Sequence, residues 1–271
     1  MFIILIRCIF RKTTDTISEN KITAPKPKSM TYLSLILPCY NSNAIIEKQL
    51  PDFISFLNTL NISFEILIVD DGSKNKNELQ LITEKYHCIY LDNEKNLGKG
   101  AAIRKGVKHA KGQYIIFTDC DIPFENDAII TILKYLNDKE FHLAVGDRTL
   151  NTSSYFEEIS SARKLSSILF TFFVGRFVTT GMNDTQCGIK GFRKEAADDI
   201  FGVSKINGFA FDVETIYIAM KRNYDIKRIP VKLRNQGGSS VSLLRHTIPM
   251  IFDLFLIKWN HVRGYYNKKG T

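Results

Sequence analysis

Asp119-Cys-Asp121 directly follows the apolar run Tyr114-Ile-Ile-Phe-Thr118. Two carboxylates two residues apart at a strand end can share one hard divalent cation through oxygen. The other positions on the cation are left to waters and a diphosphate. An earlier run, Phe64-Glu-Ile-Leu-Ile-Val69, ends in the same manner at Asp70-Asp-Gly-Ser73. A carboxylate there can accept hydrogen bonds from a nucleobase or a ribose, although the same four residues also make an ordinary turn. Asn96-Leu-Gly-Lys-Gly100 precedes a helical stretch and offers close backbone approach, a cation at Lys99 and a helix N-terminus, all suited to phosphate. It lacks the Walker spacing. A single D-x-D carries little weight, because loops are rich in aspartate. Acidic residues closing one strand after another carry more.

The elements that position these residues follow from hydrophobic periodicity. Strands are predicted at 33–37, 64–69, 88–91, 114–118 and 143–145, with helices over 44–57, 100–110 and 126–136. Pro51 falls inside the first helix and predicts a kink or a late start. Such alternation implies parallel βαβ units with right-handed crossovers. Ligands in these sheets bind beyond the carboxyl ends of the strands, where Asp70, Asp71, Asp119 and Asp121 fall. After Gly146 the pattern changes. Residues 165–178 are apolar apart from Arg176, which predicts a helix facing either core or membrane. A strand near 188–192, a helix over 213–220 and a strand over 226–231 follow. The last helix, 243–262, is apolar over most of its surface, with Arg245, Asp253 and Lys258 set into it and Arg263 beyond its end.

Composition narrows the partners. The 271 residues carry 37 basic and 28 acidic side chains, a net charge of +9, which favours anionic partners such as nucleotide diphosphates, lipid phosphates or an anionic membrane surface. Nucleic acid is excluded as a partner, because the basic residues are scattered and neither zinc-finger spacing nor a base-reading helix occurs. The five cysteines form no C-x-x-C pair, so a reducing compartment fits better than a disulfide framework or a zinc site. His87, His109, His142, His246 and His261 have no ligand spacing, and Lys164, Arg193 and Lys194 read as solvated faces. Residues 1–10 are apolar except for Arg7, far short of the roughly 20 needed to span a bilayer. Together with the proline-punctuated stretch after them they read as a flexible leader and linker over 1–30. A single domain, 31–271, follows and includes the last helix.

Taken in order, Pro38-Cys-Tyr-Asn41, Val69-Asp-Asp-Gly-Ser73, Asn96-Leu-Gly-Lys-Gly100 and Asp119-Cys-Asp121 resemble the family 2 glycosyltransferases of GT-A fold. Val145-Gly-Asp-Arg148, Asp184-Thr-Gln-Cys-Gly-Ile-Lys190 and Phe209-Ala-Phe-Asp-Val-Glu214 resemble the polyprenyl-phosphate branch, the dolichyl-phosphate β-glucosyltransferases above all. The likeness runs from about residue 32 to 266. It implies a Rossmann-like, mostly parallel sheet flanked by helices, ending in an interfacial or amphipathic helix. It also implies a donor site of Pro38, Tyr40, Asp70, Lys99, Asp119 and Gln186. Asp70 would take the base, Asp119 the nucleotide moiety, and Gln186 the sugar. Asp121 would be the principal ligand of Mg2+ or Mn2+, with Asp119 beside it. Asp212 stands where members with hydroxyl acceptors keep a general base. Arg148 and Arg163 match the residues that receive a lipid phosphate. Cys120 replaces a commoner alanine, and its side chain is expected to point away from the metal. Asn235-Gln-Gly-Gly-Ser239 departs from the family pattern. Neither the long N-terminal membrane helix of eukaryotic members nor the extra C-terminal helices of some bacterial ones is expected.

The chemistry so implied is inversion at an anomeric carbon. A nucleotide-sugar, UDP- favoured over GDP-, donates a glucose-like sugar to a polyprenyl phosphate, and a metal offsets charge on the leaving diphosphate. The enzyme would sit peripherally at the cytoplasmic face of a membrane, the plasma membrane in a bacterium or the endoplasmic reticulum in a eukaryote, possible as a homo-oligomer. Two rival readings stand beside it. In one, a family 2 enzyme acts on a sugar hydroxyl, with Asp212 as base. In the other, the protein binds nucleotide-sugars or phospholipids without catalysis, which the intact acidic set opposes.

Overall fold

The computed structural model describes residues 31–153, 182, 184–234 and 243–267. The leader over 1–30, the apolar stretch 165–178, Arg163, Lys164 and the segment 235–239 lie outside the described residues. Among the described residues seven strands form one sheet: β1 (Leu33–Cys39), β2 (Phe64–Asp70), β3 (Ile89–Asp92), β4 (Tyr114–Phe117), β5 (Leu143–Asp147), β6 (Lys190–Arg193) and β7 (Ile226–Pro230). Their order is β3-β2-β1-β4-β6-β5-β7. All neighbours pair in parallel except β6, which is antiparallel to both β4 and β5. Two antiparallel pairings in succession return β5 and β7 to the direction of β4. The carboxyl ends of six strands therefore share one edge, and the seventh strand starts there, at Lys190.

The helices are α1 (Asn43–Thr59), α2 (Lys76–Lys85), α3 (Lys99–His109), α4 (Asp127–Asn137), α5 (Lys194–Val203), α6 (Phe211–Lys221) and α7 (Leu243–Val262). Alternate strand residues face opposite sides, the period-2 rule of a pleated strand. Ile36, Leu67, Val69, Ile115 and Phe117 pack towards α3, α5, α6 and α7. Leu35, Leu37, Ile66, Ile68 and Ile116 pack towards α1, α2 and α4. Helices cover both faces, which explains why the inner strands read as unbroken apolar runs. Pro51 neither delays nor ends α1, which runs through it. The proline is exposed, so the carbonyl that loses its helix donor faces water.

Candidate active site

The D-x-D segment begins where the ladder of β4 stops. Thr118 N–H still donates to the Ile36 carbonyl at 3.2 Å, and Ile122 N–H then closes a turn on the Asp119 carbonyl at 2.9 Å. Asp121 is exposed and Asp119 partly so. Burial of the surrounding atoms, and then the negative charge of Asp119, push the Asp121 carboxyl above its ordinary value. A carboxylate whose charge is opposed by the one beside it marks a place that gains from a cation. Cys120 faces the other way. The β1–β4 register, carried beyond Ile36↔Phe117, brings Cys39 opposite Cys120, and the Cys39 thiol donates to the Leu37 carbonyl at 3.7 Å.

At the end of β2 the adjacent aspartates have different partners. Asp70 is fully buried and accepts hydrogen bonds from Ser73 N–H and from the Tyr90 hydroxyl, each at 2.9 Å. Asp71 reaches across to the next loop. Its carboxylate accepts from Asn93 Nδ2 at 2.9 Å, Leu97 N–H at 3.0 Å and Gly98 N–H at 2.8 Å. This clamp fixes the start of α3. Gly98 has φ 101°, and a Cβ there would lie 2.4 Å from the Asn207 carbonyl oxygen, so only glycine fits. Gly100 N–H donates to the same carbonyl at 2.7 Å. Between these two glycines Lys99 is delivered onto Asp119, with its ammonium paired to Oδ1. The Phe211 ring lies 6.0 Å from that ammonium.

A second pair sits behind the first. Lys190, at the start of β6, is 1% exposed, and its ammonium donates to Asp212 Oδ1 at 2.5 Å and to the Cys187 carbonyl at 2.8 Å. Burial raises the Asp212 carboxyl, against the opposing pull of Lys190 and then Lys99. The strand lead-in carrying Lys190 passes against the D-x-D: a Cβ on Gly188 would fall 2.3 Å from Asp119 Oδ2. Further along the edge, Arg148 grips Asp184 through Nε and Nη2, each at 2.8 Å, and its backbone N–H adds a third bond. Burial works to raise the Asp184 carboxyl, but Arg148 outweighs it and holds the group below its ordinary value. Gln186 is half-buried, and its Nε2 lies 3.9 Å from Met250 Sδ on α7.

Asp70, Lys99, Asp119, Asp121 and Asp212 thus gather at one edge, together with Pro38 in β1, Tyr40 just beyond it, Arg148 and Gln186. Two participants carry more than their sequence signal. Lys190 is the only buried lysine among the described residues, and only its place in Asp184-Thr-Gln-Cys-Gly-Ile-Lys190 hints at it. Glu214, in the same motif as Asp212, is fully buried and accepts from Lys205 N–H, Ile206 N–H and the Tyr266 hydroxyl at 2.8, 2.9 and 2.6 Å. Among the described residues no three acidic, histidine or cysteine side chains form a complete metal cage.

Residues 34–201 match the pattern of glycosyl transferase family 2. A dolichyl-phosphate beta-glucosyltransferase of Dictyostelium discoideum is 32% identical over 267 residues, covering 93% of this chain and 80% of the relative. The enzyme of that name from Saccharomyces cerevisiae is 33% identical over 263 residues, covering 88% and 78%. Among solved structures, mannosyl-3-phosphoglycerate synthase from Rubrobacter xylanophilus superposes with a TM-score of 0.66 at 15% identity, over 89% of this chain and 77% of that one. Glucosyl-3-phosphoglycerate synthase from Mycobacterium tuberculosis, crystallised with Mn2+, UDP-glucose and phosphoglyceric acid, gives 0.63 at 15% identity, over 84% and 79%.

Proposed function

The chain belongs to glycosyl transferase family 2, and from that premise we propose that it moves glucose, with inversion, from UDP-glucose to a polyprenyl phosphate at a membrane surface. The names of the relatives, about one third identical over most of the chain, support the sugar and the acceptor. The UDP- and Mn2+-bound neighbour of the same fold supports the nucleotide and a divalent cation. The donor set is Pro38, Tyr40, Asp70, Lys99, Asp119 and Gln186, and the metal pair is Asp119 and Asp121.

The residues fit a cation of the Mg2+ or Mn2+ kind. They offer two carboxylates, one exposed and held above its ordinary pKa beside the other, and leave the remaining positions to water and phosphate oxygens. When bound, such an ion offsets the charge that builds on the leaving diphosphate. Lys99, at the first turn of α3, adds a fixed cation on the same side.

The observation that carries the acceptor assignment is the state of Asp212. A general base for a hydroxyl acceptor must reach the proton it removes. Asp212 is 3% exposed and committed to Lys190, which fits it for holding charge in place rather than for taking a proton from an incoming alcohol. A lipid phosphate, with its second pKa near ~6, arrives largely ionised and needs no such base. Arg148, oriented by Asp184 and about one-third exposed, is the cation proposed to receive it, with Arg163 as its partner.

The last helix supports delivery from a bilayer. Phe252, Phe255, Leu256, Trp259 and Val262 form an exposed apolar stripe on α7, flanked by Lys258 and Arg263. No helix among the described residues is long and apolar enough to cross a membrane. An amphipathic helix lying in the interface satisfies both facts. The four cysteines among the described residues are free, which supports a reducing, cytoplasmic face.

The test is transfer of radiolabelled glucose from its UDP ester to a short polyprenyl phosphate and to the matching polyprenyl alcohol. Transfer to the phosphate alone, abolished by EDTA and by Asp121→Asn, is expected. Comparable transfer to the alcohol would establish the hydroxyl-acceptor reading instead.

A further inference from the structure

Lys99 stands where the cation's partner should be. Its ammonium is paired with Asp119 Oδ1, the oxygen of a proposed metal ligand, and the side chain is 16% exposed. It has little freedom to leave for another carboxylate. Asp71 and the Asn207 carbonyl fix the backbone on either side of it, and the Phe211 ring lies against it. The next acidic group inward, Asp212, already holds the Lys190 ammonium at 2.5 Å.

Charge counting gives this arrangement a consequence. Lys99 and Lys190 stand beside Asp119, Asp121 and Asp212, leaving one net negative charge among five groups of which Asp121 alone is exposed. A divalent cation arriving alone must compete with a covalently tethered ammonium for Asp119, and it turns the local balance positive. A nucleoside diphosphate changes both terms. It restores negative charge and offers Lys99 oxygens to move to when it leaves Asp119.

We infer that Lys99 is a resident counter-cation of the metal site: it blocks Asp119 in the nucleotide-free protein and is released to the diphosphate when donor and metal load together. The inference rests on the proposed metal pair. Metal and nucleotide binding are consequently coupled, each tightening the other by the same factor, as linkage requires.

The experiment titrates Mn2+ into nucleotide-free protein and reads free Mn2+ by electron paramagnetic resonance, with and without UDP. Wild type is compared with Lys99→Met, Lys99→Gln and Lys99→Arg, each first checked by circular dichroism and thermal melting. Without UDP, the Met and Gln variants are expected to bind Mn2+ about tenfold more tightly than wild type, a change of roughly 1.4 kcal/mol. The Arg variant, which keeps the charge, should stay near wild type. With UDP the advantage should vanish, because the neutral variants lose a phosphate contact. Equal or weaker nucleotide-free affinity in both neutral variants, including no binding by any form, overturns the inference. If wild type takes up Mn2+ with UDP in that case, the metal reading survives. Failure of wild type to bind Mn2+ even with UDP removes the metal reading and the inference together.

Discussion

Gly188 is a position where a single methyl group separates chemistry from folding. Its added Cβ would meet Asp119 Oδ2 at 2.3 Å and Asp119 Cγ at 3.2 Å, with the Phe124 ring edge next at 3.6 Å, so the clash falls on a carboxylate rather than on backbone. Gly188→Ala should therefore leave the melting temperature nearly unchanged while displacing the carboxylate proposed to hold donor and metal. A misplacement of about 1 Å at a reacting centre can cost on the order of 10²-fold. Steady-state kinetics beside a thermal melt check this, and wild-type kcat/KM would show that Asp119 is not in the site. The Arg148–Asp184 pair makes a different residue-level prediction. Asp184 is held below its ordinary value of 3.8, so its stabilising contribution is complete above that value and is lost as pH falls through the lower, folded one. The gap in melting temperature between wild type and Asp184→Asn should be full at neutral pH and should close only in strong acid. A gap that does not change with pH would deny the pair its role. Asp119 and Asp121 were legible from their place after an apolar run. The pairings of Lys190 with Asp212 and Arg148 with Asp184 were not, because they join residues 22 and 36 positions apart across separate elements. Local spacing carries no record of such partners.

At the scale of elements, periodicity predicted the strands well because both faces of the sheet are covered and its inner strands are apolar throughout. It did not predict direction. β6 runs antiparallel because β5 ends at Asp147 and β6 starts at Lys190 on the same edge of the sheet. Nothing in Lys190-Gly-Phe-Arg193 distinguishes a strand entered from one end from one entered from the other. The last helix was legible as a surface element that is too apolar for its exposure. Leu254 and Ile257 turn to the core, whereas Phe252, Phe255 and Trp259 are 69%, 70% and 56% exposed. Substituting Phe255 and Trp259 together by Ser touches only the outer stripe. The double variant should keep its melting temperature and its Mn2+ and UDP binding, and lose most of its sedimentation with vesicles of anionic phospholipid. Transfer to a vesicle-borne polyprenyl phosphate should fall with it, while transfer to a water-soluble short-chain acceptor stays near wild type. Unchanged sedimentation would take the stripe off the membrane.

Across the whole molecule, a chain of contacts joins that helix to the edge proposed to take the donor. Tyr266, just past α7, donates its hydroxyl to Glu214, and Glu214 also holds the backbone N–H groups of Lys205 and Ile206. The next residue, Asn207, offers the carbonyl that receives Gly100 N–H beside Lys99. Arg104 on α3 braces the same loop through the Ser204 hydroxyl and the Ile206 carbonyl, at 3.2 and 3.3 Å. Periodicity gives Glu214 no role, since a glutamate in a helix normally points to water, and its donors lie outside that helix: the adjacent Lys205 and Ile206 N–H groups before it and the Tyr266 hydroxyl 52 positions on. Burial raises the Glu214 carboxyl above its ordinary 4.5, and the Tyr266 hydroxyl works against that rise. The sign follows from linkage. A raised folded value means that the contribution of Glu214 to stability is full below 4.5 and declines as pH climbs through the folded value. Tyr266→Phe removes one of the bonds that limits the decline, so its cost should be small in mild acid and grow towards neutral pH. A hydrogen bond to a buried charge is worth about 1.5–3 kcal/mol. At roughly 2–4 °C per kcal/mol for a domain of this size class, the neutral-pH melting temperature should fall by several degrees. Because the same bond seats the loop under Lys99, the variant should also raise the KM for the nucleotide-sugar while leaving the acceptor KM close to wild type. Melting curves at pH 4.5 and 7.5, with donor and acceptor titrations, test both parts. A loss of stability equal at the two pH values would mean that Tyr266 packs against α6 without serving the Glu214 charge.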